Sequence, residues 1–545
     1  MTTHAVPRLL PAALVGLFLL ATIAGGASFP LTPDEGRYVL EFSRGWRSLV
    51  AWLAEDNHPP LYFLFLKGWT DLFGATEWVF RLPGALFGAA TVAAIYRFLR
   101  EPLGGRRALV YTAFVAFNPL FLFVHCLGKY YGALGLLTVL AVGLMAAILY
   151  RRDGGPIPRG RLAAWGTCCL LLLWTHYLAI PMIAAMGLWL ICEWLRKCRG
   201  GTGAMIATLA VAVVGFAPWI PVVLSRAGSG EGNPAMATLA VGKRLVVRAG
   251  YSAYAFAFGP TLELTHVLLY VLGFLAALSA LAFGIYTIVR HGSTGVSPLH
   301  DQPGLVVHGQ DAHATVRFVL WFVGFVGAAS LVLMGVFLPG HPDLSMPERL
   351  AFLLPFVVLI ALHGATRWPA MLRRVAFVAW AVPASVSVWN VYTMRENNSW
   401  DYLIPWREIA ARIDSEPARP RTVLAIRREF AGLSWYYLRP RAEHFIEIDP
   451  MTKPGLADRL APELIARGGA VFILRATRDA TADGSIDAFT ESLARHLGPP
   501  CATAPLVFES AAMRRLKARL RPDSPNESKM TFLQYCPDRL ASHPH

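Results

Sequence analysis

Long apolar runs, separated by short polar or basic stretches, recur along most of the chain. The first run extends from Leu9 to Gly25. Later runs lie near 81–99, 108–125, 130–149, 162–177, 178–195, 204–224, 266–289, 317–338, 349–364 and 375–393. A helix needs about 20 predominantly apolar residues to cross the hydrocarbon core of a bilayer. The pattern therefore predicts an α-helical polytopic membrane protein with about eleven transmembrane helices.

Composition supports the same class. The 545 residues are 55% hydrophobic with a mean hydropathy of +0.46, which is more apolar than a water-soluble protein of this size. The first run follows Arg8 and precedes small residues up to Ser28, a combination that fits a cleaved signal peptide or a retained anchor. The many apolar runs that come after it favour the anchor.

Basic loops predict the orientation, because Lys and Arg are retained on the cytoplasmic side. The loops at 97–107, 151–161, 196–199 and 367–374 are rich in Arg and Lys. All four face the cytoplasm if Leu61–Phe73, which is short and contains Lys67 and Asp71, lies in the outer interface instead of crossing. The loop 28–80, with its interfacial helices, and everything after Met394 then lie outside.

The net charge of +15 follows from this orientation, since basic loops also bind anionic headgroups of the membrane lipids. Nucleic acid is not an expected partner. Arg248 and its basic neighbours Lys243 and Arg244 fall in the predicted outer loop 225–265, against the rule. They are interpreted as solvated loop charges, or as a contact for an anionic lipid or ligand.

Composition changes at Met394, where charged residues and Pro replace the apolar runs. The stretches 422–426 and 470–474 have the pattern of buried strands, and 406–413 and 486–497 have helical spacing. Residues 394–545 are therefore predicted to form a small α/β domain outside the membrane, and residues 1–393 the transmembrane domain. An oxidising compartment would permit a disulfide between Cys501 and Cys536; the sequence leaves this open.

Two polar clusters share the first outer loop. Asp34 and Glu35 follow the first apolar run, and the stretch Asp56-Asn57-His58-Pro59-Pro60-Leu61-Tyr62 comes later in the same loop. Polar clusters of this kind between two hydrophobic spans indicate chemistry at a membrane surface.

The chain resembles the lipid-linked-sugar glycosyltransferases of the C superfamily, the group of the protein O-mannosyltransferases and the aminoarabinose transferases of lipid A. The matching motifs are Pro33-Asp34-Glu35-Gly36-Arg37-Tyr38, His58-Pro59-Pro60-Leu61-Tyr62, Phe73-Gly74, Arg81-Leu82-Pro83, Lys129-Tyr130-Tyr131, Thr175-His176-Tyr177 and Pro347-Glu348-Arg349. The family usually has Arg at the position of Lys129, and the aminoarabinose branch has Lys at that of His58. The resemblance implies an inverting glycosyltransferase that moves a sugar from a polyprenyl phosphate to an acceptor hydroxyl.

This chemistry assigns roles to the matched residues. Asp34 is the candidate general base, with an N-cap role as its structural alternative. Glu35 would orient Asp34 or the acceptor. The candidates for stabilising the leaving phosphate are His58, Arg81, Lys129 and Arg349. The candidates for lining the pocket are Asp56, Tyr62, Tyr131 and His176. Snorkelling at the interface is the alternative for the cations, and interfacial anchoring for the aromatic side chains.

Neither a cofactor nor an essential metal is predicted. Asp34 and Asp56 are candidates for a bridging divalent ion, but the loop contains no Asp-x-Asp pair. The expected partners are the lipid-linked donor, a glycan, lipid or protein acceptor and membrane lipids, and the expected location is the inner (plasma) membrane with the catalytic face outside.

Two other functions are compatible with parts of the sequence. Ser399-Trp400-Asp401-Tyr402 is superficially similar to the acceptor-binding motif of oligosaccharyl transferases, although the first Trp and the Gly are lacking. A lipid or sugar transporter or flippase would also have many spans. Transport is disfavoured because the charged residues gather at span ends and the chain shows no internal repeat.

Overall fold

The computed structural model describes residues 9–56, 58–150, 157–197, 200–227, 239–294, 309–337, 347–398, 400–426, 431–448, 455–476, 480–506, 510–520 and 530–536. Asn57 and Ser399 lie outside the described residues, as do the side chains of Lys243, Arg244, Trp400 and Asp401. The chain forms two compact units. The first comprises Met1–Ser28, Val50–Leu262 and His266–Thr393, and the second Phe29–Leu49, Glu263–Thr265 and Met394–His545.

Helices dominate the described part of the chain. In the first half they are α1 (Leu9–Ser28), α2 (Pro33–Ser43), α3 (Trp46–Glu55), α4 (Leu61–Phe73), α5 (Glu77–Leu103), α6 (Gly105–Ala116), α7 (Pro119–His125), α8 (Tyr131–Leu149), α9 (Arg159–Thr175), α10 (Ala179–Lys197), α11 (Gly200–Phe216), α12 (Ile220–Ala227) and α13 (Leu239–Phe258). They continue with α14 (Val267–Thr294), α15 (Gly309–Phe337), α16 (Pro347–Leu350), α17 (Leu354–Ala365), α18 (Ala370–Thr393), α19 (Trp406–Ser415), α20 (Ala431–Tyr437), α21 (Leu456–Arg467), α22 (Ala480–Leu497) and α23 (Ala511–Leu520).

Eight helices among the described residues are long and apolar enough to cross a membrane. They are Leu9–Ser28, Glu77–Leu103, Tyr131–Leu149, Ala179–Arg196, Gly201–Ser225, Val267–Arg290, Pro347–Ala365 and Ala370–Thr393. The pair α6 and α7, bent by 65°, makes a ninth if it is one broken span. The chain is therefore a multi-pass membrane protein, as the apolar runs predict.

The structure shows helices within both of the predicted outer loops, 28–80 and 225–265. Leu61–Phe73 is a helix of 13 residues and is not among the spans, which agrees with an interfacial helix. The predicted loop 225–265 instead contains α13. The interpretation of Arg248 as a solvated loop charge is wrong, because helical spacing places it on the same face of α13 as the buried Tyr251 and Ala255, and it is buried there. A contact with an anionic lipid or ligand stays a prediction.

Glycines allow close packing within the first unit. A Cβ atom on Gly84 of α5 would lie 2.4 Å from the carbonyl oxygen of Leu127, and one on Gly128 would lie 2.2 Å from the Phe80 ring. Neither position has room for a side chain, so α5 can pack directly against the turn between α7 and α8. This contact fixes the backbone that carries Lys129 and Tyr130.

A five-stranded sheet forms the core of the second unit, in the order β2-β1-β3-β5-β4. The strands are β1 (Arg421–Ile426), β2 (His444–Ile448), β3 (Ala470–Ala476), β4 (Ala502–Leu506) and β5 (Met530–Tyr535). β1 pairs in parallel with β2 and β3, whereas β5 is antiparallel to β3 and β4. Leu424, Ile473 and Leu493 of α22 are fully buried in the core, which confirms the predicted small α/β fold.

A disulfide joins Cys501 and Cys536, at the start of β4 and just after β5. It closes a loop with a sequence separation of 35 residues, which restricts the unfolded chain. We expect the double replacement of Cys501 and Cys536 by Ser to lower the free energy of unfolding of this unit by about 2–4 kcal/mol. Urea-dependent proteolysis of the full chain measures the loss, and Cys192→Ser, at an exposed free thiol, is the control that should leave it unchanged.

Candidate active site

Asp34 lies in the first turn of α2, in the second unit. The N-cap of this helix is Thr32, with φ −76° and ψ 163°, and Pro33 occupies its first turn. The Thr32 hydroxyl accepts from the backbone N–H of Glu35 at 3.3 Å, and the Glu35 carboxylate accepts from the backbone N–H of Thr32 at 2.8 Å. Thr32 thus has the capping role considered for Asp34, whose side chain is exposed.

Glu35 completes the capping box and is fully buried. One of its carboxylate oxygens is engaged with the backbone, so the side chain orients the start of α2. Asp34 and Glu35 are neighbours in the sequence, but helical geometry directs their side chains to different sides of the helix.

His58 and Asp56 form a close pair in the first unit. Nδ1 of His58 lies 2.7 Å from a carboxylate oxygen of Asp56, and both side chains are largely shielded from solvent. A carboxylate at Nδ1 favours the tautomer or ion that carries a proton there and holds the orientation of the ring. Nε2 of His58 points to the opposite side of the ring from Asp56.

Aromatic rings surround His58. The ring centroid of Tyr130 lies 5.0 Å from that of His58, and the His176 centroid lies 5.4 Å from His58 and 4.4 Å from Tyr130. Tyr62 also approaches Tyr130, with ring centroids 6.5 Å apart. We call Asp56, His58, Tyr130 and His176 the ring cluster. The turn between α7 and α8 and the turn between α9 and α10 supply two of its four residues.

His176 is neutral in this setting. It lies in the turn between α9 and α10, where Nδ1 accepts the backbone N–H of Leu178 at 3.0 Å, so the neutral ring carries its proton on Nε2. Burial, and after it the charges of His58 and Arg349, lower the pKa of His176 well below 6.5. Arg349 is therefore close enough to the ring cluster to act on it electrostatically.

The lowered pKa predicts acid sensitivity. The unfolded chain gains a proton on His176 below about pH 6.5, whereas the folded chain does not, so the free energy of unfolding decreases as the pH falls below that value. We expect the midpoint of thermal unfolding in detergent to fall between about pH 7.5 and about pH 5, and His176→Gln to reduce the fall. An equal fall in the variant would show that other groups cause it.

Lys129 extends the ring cluster towards Tyr131. Its ammonium nitrogen lies 5.7 Å from the Tyr131 ring centroid, and the rings of Tyr131 and Tyr130 are 4.7 Å apart. The Lys129 side chain is 4% exposed. A cation held this far from solvent interacts more strongly with an anionic ligand than a surface lysine does.

Arg81 contacts the end of the first span. Its guanidinium donates to the carbonyl oxygen of Gly26, in the last turn of α1, at 2.6 Å, and the side chain is buried. The last carbonyls of a helix lack partners within the helix, so this hydrogen bond stabilises the end of α1. Whether its remaining N–H groups also serve a phosphate stays a prediction.

The structure thus brings six predicted residues of the first unit into one group. They are Asp56, His58, Tyr62, Lys129, Tyr131 and His176, with Arg349 acting on His176 electrostatically. Sequence reasoning did not select Tyr130, although its ring lies close to those of four members of this group: His58, Tyr62, Tyr131 and His176. The available signal was its position in the chain between Lys129 and Tyr131. In the described part of the chain, no three His, Cys, Asp or Glu side chains are grouped to hold a metal ion.

Comparison with known families supports the enzyme class. Residues 57–222 match the model of the family described as dolichyl-phosphate-mannose-protein mannosyltransferase. This segment contains His58, Arg81, Lys129 and His176. The match confirms the resemblance to lipid-linked-sugar transferases and identifies the chain as a membrane glycosyltransferase. A search of curated protein sequences finds no match.

Solved structures of similar architecture include ArnT from Cupriavidus metallidurans bound to undecaprenyl phosphate, with 14% identity, a TM-score of 0.49 and coverage of 96% of this chain and 97% of that one. The archaeal oligosaccharyltransferase AglB from Archaeoglobus fulgidus, in complex with an inhibitory peptide and a dolichol-phosphate, has 11% identity, a TM-score of 0.44 and coverage of 85% and 69%. The arabinofuranosyltransferase AftD from Mycobacteria has 14% identity, a TM-score of 0.43 and coverage of 97% and 40%. These TM-scores are low, so the assignment rests on the family match and on the residues.

Proposed function

We propose that the protein transfers a sugar from a polyprenyl-phosphate donor to an acceptor hydroxyl outside the cytoplasm, with inversion at the anomeric carbon. The observation that carries the proposal is the buried group of Lys129 and the ring cluster, within the segment that matches the mannosyltransferase family. Such a group suits an anionic lipid headgroup that enters from the membrane.

Stabilisation of the leaving phosphate is the role of this group. As the bond between the anomeric carbon and the phosphate oxygen breaks, its electron pair passes to that oxygen. Lys129 and Arg349 supply positive charge. His58, whose Nδ1 pairs with Asp56, donates an N–H from Nε2 in its imidazolium form. Because polyprenyl phosphate is already a stable anion, its departure requires no strong general acid.

Asp34 removes the proton of the acceptor. Its carboxylate is exposed at the start of α2, and this helix start is fixed by the Thr32–Glu35 capping box. The acceptor oxygen forms the new bond to the anomeric carbon while its proton passes to Asp34. The products are the glycosylated acceptor, polyprenyl phosphate and a protonated Asp34, which returns its proton to water.

The side of the membrane is proposed from the basic loops. Their charge favours a position outside the cytoplasm for the first polar loop and the residues after Met394. The Cys501–Cys536 disulfide supports the same side, because an oxidising compartment would allow it. We therefore propose an inner-membrane enzyme with its catalytic face outside. The acceptor is a glycan, lipid or protein hydroxyl, and no metal is required.

A donor panel tests the function. Membranes with and without the protein are supplied with radiolabelled polyprenyl-phosphate sugars, one sugar at a time, and incorporation of label into membrane and soluble acceptors is measured. We expect incorporation from one donor only in membranes that contain the protein. Equal incorporation in both membranes for every donor would refute the proposed activity.

A further inference from the structure

We propose that the C-terminal domain positions the helix that carries Asp34, and that Gly36, Gly432 and Tyr437 are the positioning residues. The inference rests on the proposed function, because it assigns a purpose to this contact only if Asp34 is the base. It gives residues 394–545 a role that their sequence does not reveal. They hold the segment Phe29–Leu49 in place, and this segment belongs to the same compact unit.

The first support is a backbone contact between α2 and α20. A Cβ atom on Gly432 would lie 2.3 Å from the carbonyl carbon and oxygen of Gly36 and 2.6 Å from the backbone nitrogen of Arg37. A Cβ atom on Gly36 would lie 2.7 Å from the Leu433 side chain. The two helices therefore touch through their backbones, two residues after Asp34.

The second support lies three residues before Asp34. The backbone N–H of Leu31 donates to the hydroxyl of Tyr437 at 2.8 Å, and Leu31 is 1% exposed, so this donor has no access to bulk water. The Tyr437 ring in turn stacks on Trp406, with centroids 6.0 Å apart and an interplanar angle of 13°. Trp406 is fully buried at the start of α19.

A third contact fixes the beginning of the segment. The guanidinium of Arg407 donates to the carbonyl oxygen of Phe29 at 3.1 Å. Asp34 thus lies between contacts at Leu31 and Gly36, and α20 makes both of them. A contact between two backbones cannot be relieved by rotating a side chain. A small shift of α20 therefore moves the first turn of α2 with it.

A shift of α2 should affect catalysis, because proton transfer to Asp34 depends on the distance and angle between its carboxylate and the acceptor hydroxyl. A misplacement of about 1 Å, even from a change remote from the reacting atoms, can lower a rate by about 100-fold. The effect should appear in kcat at saturating donor, since the proposed phosphate-binding residues belong to other segments, and the KM for the donor should change little.

The test compares three variants of the full-length protein in membranes. Gly432→Ala places a methyl group against Gly36, and we expect kcat to fall about 100-fold. Tyr437→Phe keeps the ring on Trp406 but removes the acceptor for Leu31, and we expect about a tenfold fall. Gly16→Ala is the control, because nothing lies within 4 Å of a Cβ atom there.

Hydrogen exchange of the backbone amides of residues 29–43 provides a second readout that does not depend on activity. We expect faster exchange there in Gly432→Ala and Tyr437→Phe than in wild type or Gly16→Ala. The KM of both variants for the donor should stay within about twofold of the wild-type value. Unchanged exchange and unchanged kcat in Tyr437→Phe would overturn the inference, even if Gly432→Ala fails to fold.

The two proposals fail differently. If Asp34→Asn transfers sugar at the wild-type rate, the proposed base is wrong, and exchange in residues 29–43 still shows whether α20 supports α2. If Asp34→Asn is inactive while Tyr437→Phe and Gly432→Ala retain full kcat and slow exchange, the base stands and the positioning role is refuted.

Discussion

Replacing Asp34 by Asn is expected to lower the rate of sugar transfer about a thousandfold, because the amide cannot accept the acceptor proton. Asn preserves the size of the side chain, and Asp34 is exposed at the helix start, so the fold should survive. The measurement is the initial rate of label transfer in membranes with equal amounts of each protein. Glu447→Gln, at an exposed carboxylate on β2 of the same unit, is the control.

The control should retain the wild-type rate within about twofold, since Glu447 is exposed on β2 and surface substitutions of this kind have small effects. Transfer undiminished in Asp34→Asn would keep the enzyme class and refute the mechanism. A comparable loss in both variants would point to general damage to the second unit instead.

Replacing Lys129 by Met is expected to lower kcat/KM about 100-fold, because the leaving phosphate loses a buried positive charge. Met has a similar length and is apolar, so it can occupy the place beside Tyr131. Lys129→Arg should recover most of the rate, since it restores the charge, and Arg is the residue that the resembling family usually has at this position. Steady-state rates over a range of donor concentrations measure both variants.

The comparison of Met with Arg separates charge from packing. If both variants lose the same activity, the shape of the site and not its charge is critical. If Lys129→Met retains the wild-type kcat/KM, the cation has no part in stabilising the phosphate, and Lys129 is a membrane-interface residue.

Apolar periodicity and motif order predicted much of this molecule. The predicted runs fall on helical segments, because apolar runs in a bilayer must satisfy their backbone hydrogen bonds internally. The runs 108–125, 204–224 and 349–364 are each interrupted, and the described residues contain eight or nine candidate spans against the predicted eleven or so. The helix Leu61–Phe73 has the predicted bounds, and Val423 and Phe472 lie on predicted strands. These elements could be predicted because each depends on the order of apolar and polar residues within its own segment.

Contacts between distant segments could not be predicted. The grouping of Phe29–Leu49 with residues after Met394 includes the backbone contact of Gly36 with Gly432, which the local sequence around either glycine does not predict. Tyr130 was overlooked because a Tyr near a membrane interface is common, and only its contacts with His58 and His176 distinguish it.

The central claim is that the protein breaks the bond between a sugar and its polyprenyl phosphate. The most direct measurement follows a donor labelled in both sugar and lipid, in sealed membrane vesicles that contain the protein and its native acceptors. The account predicts that free polyprenyl phosphate appears in the same amount as sugar on the acceptor. Recovery of the intact donor, moved to the other leaflet with its sugar still attached, would contradict it and identify a flippase.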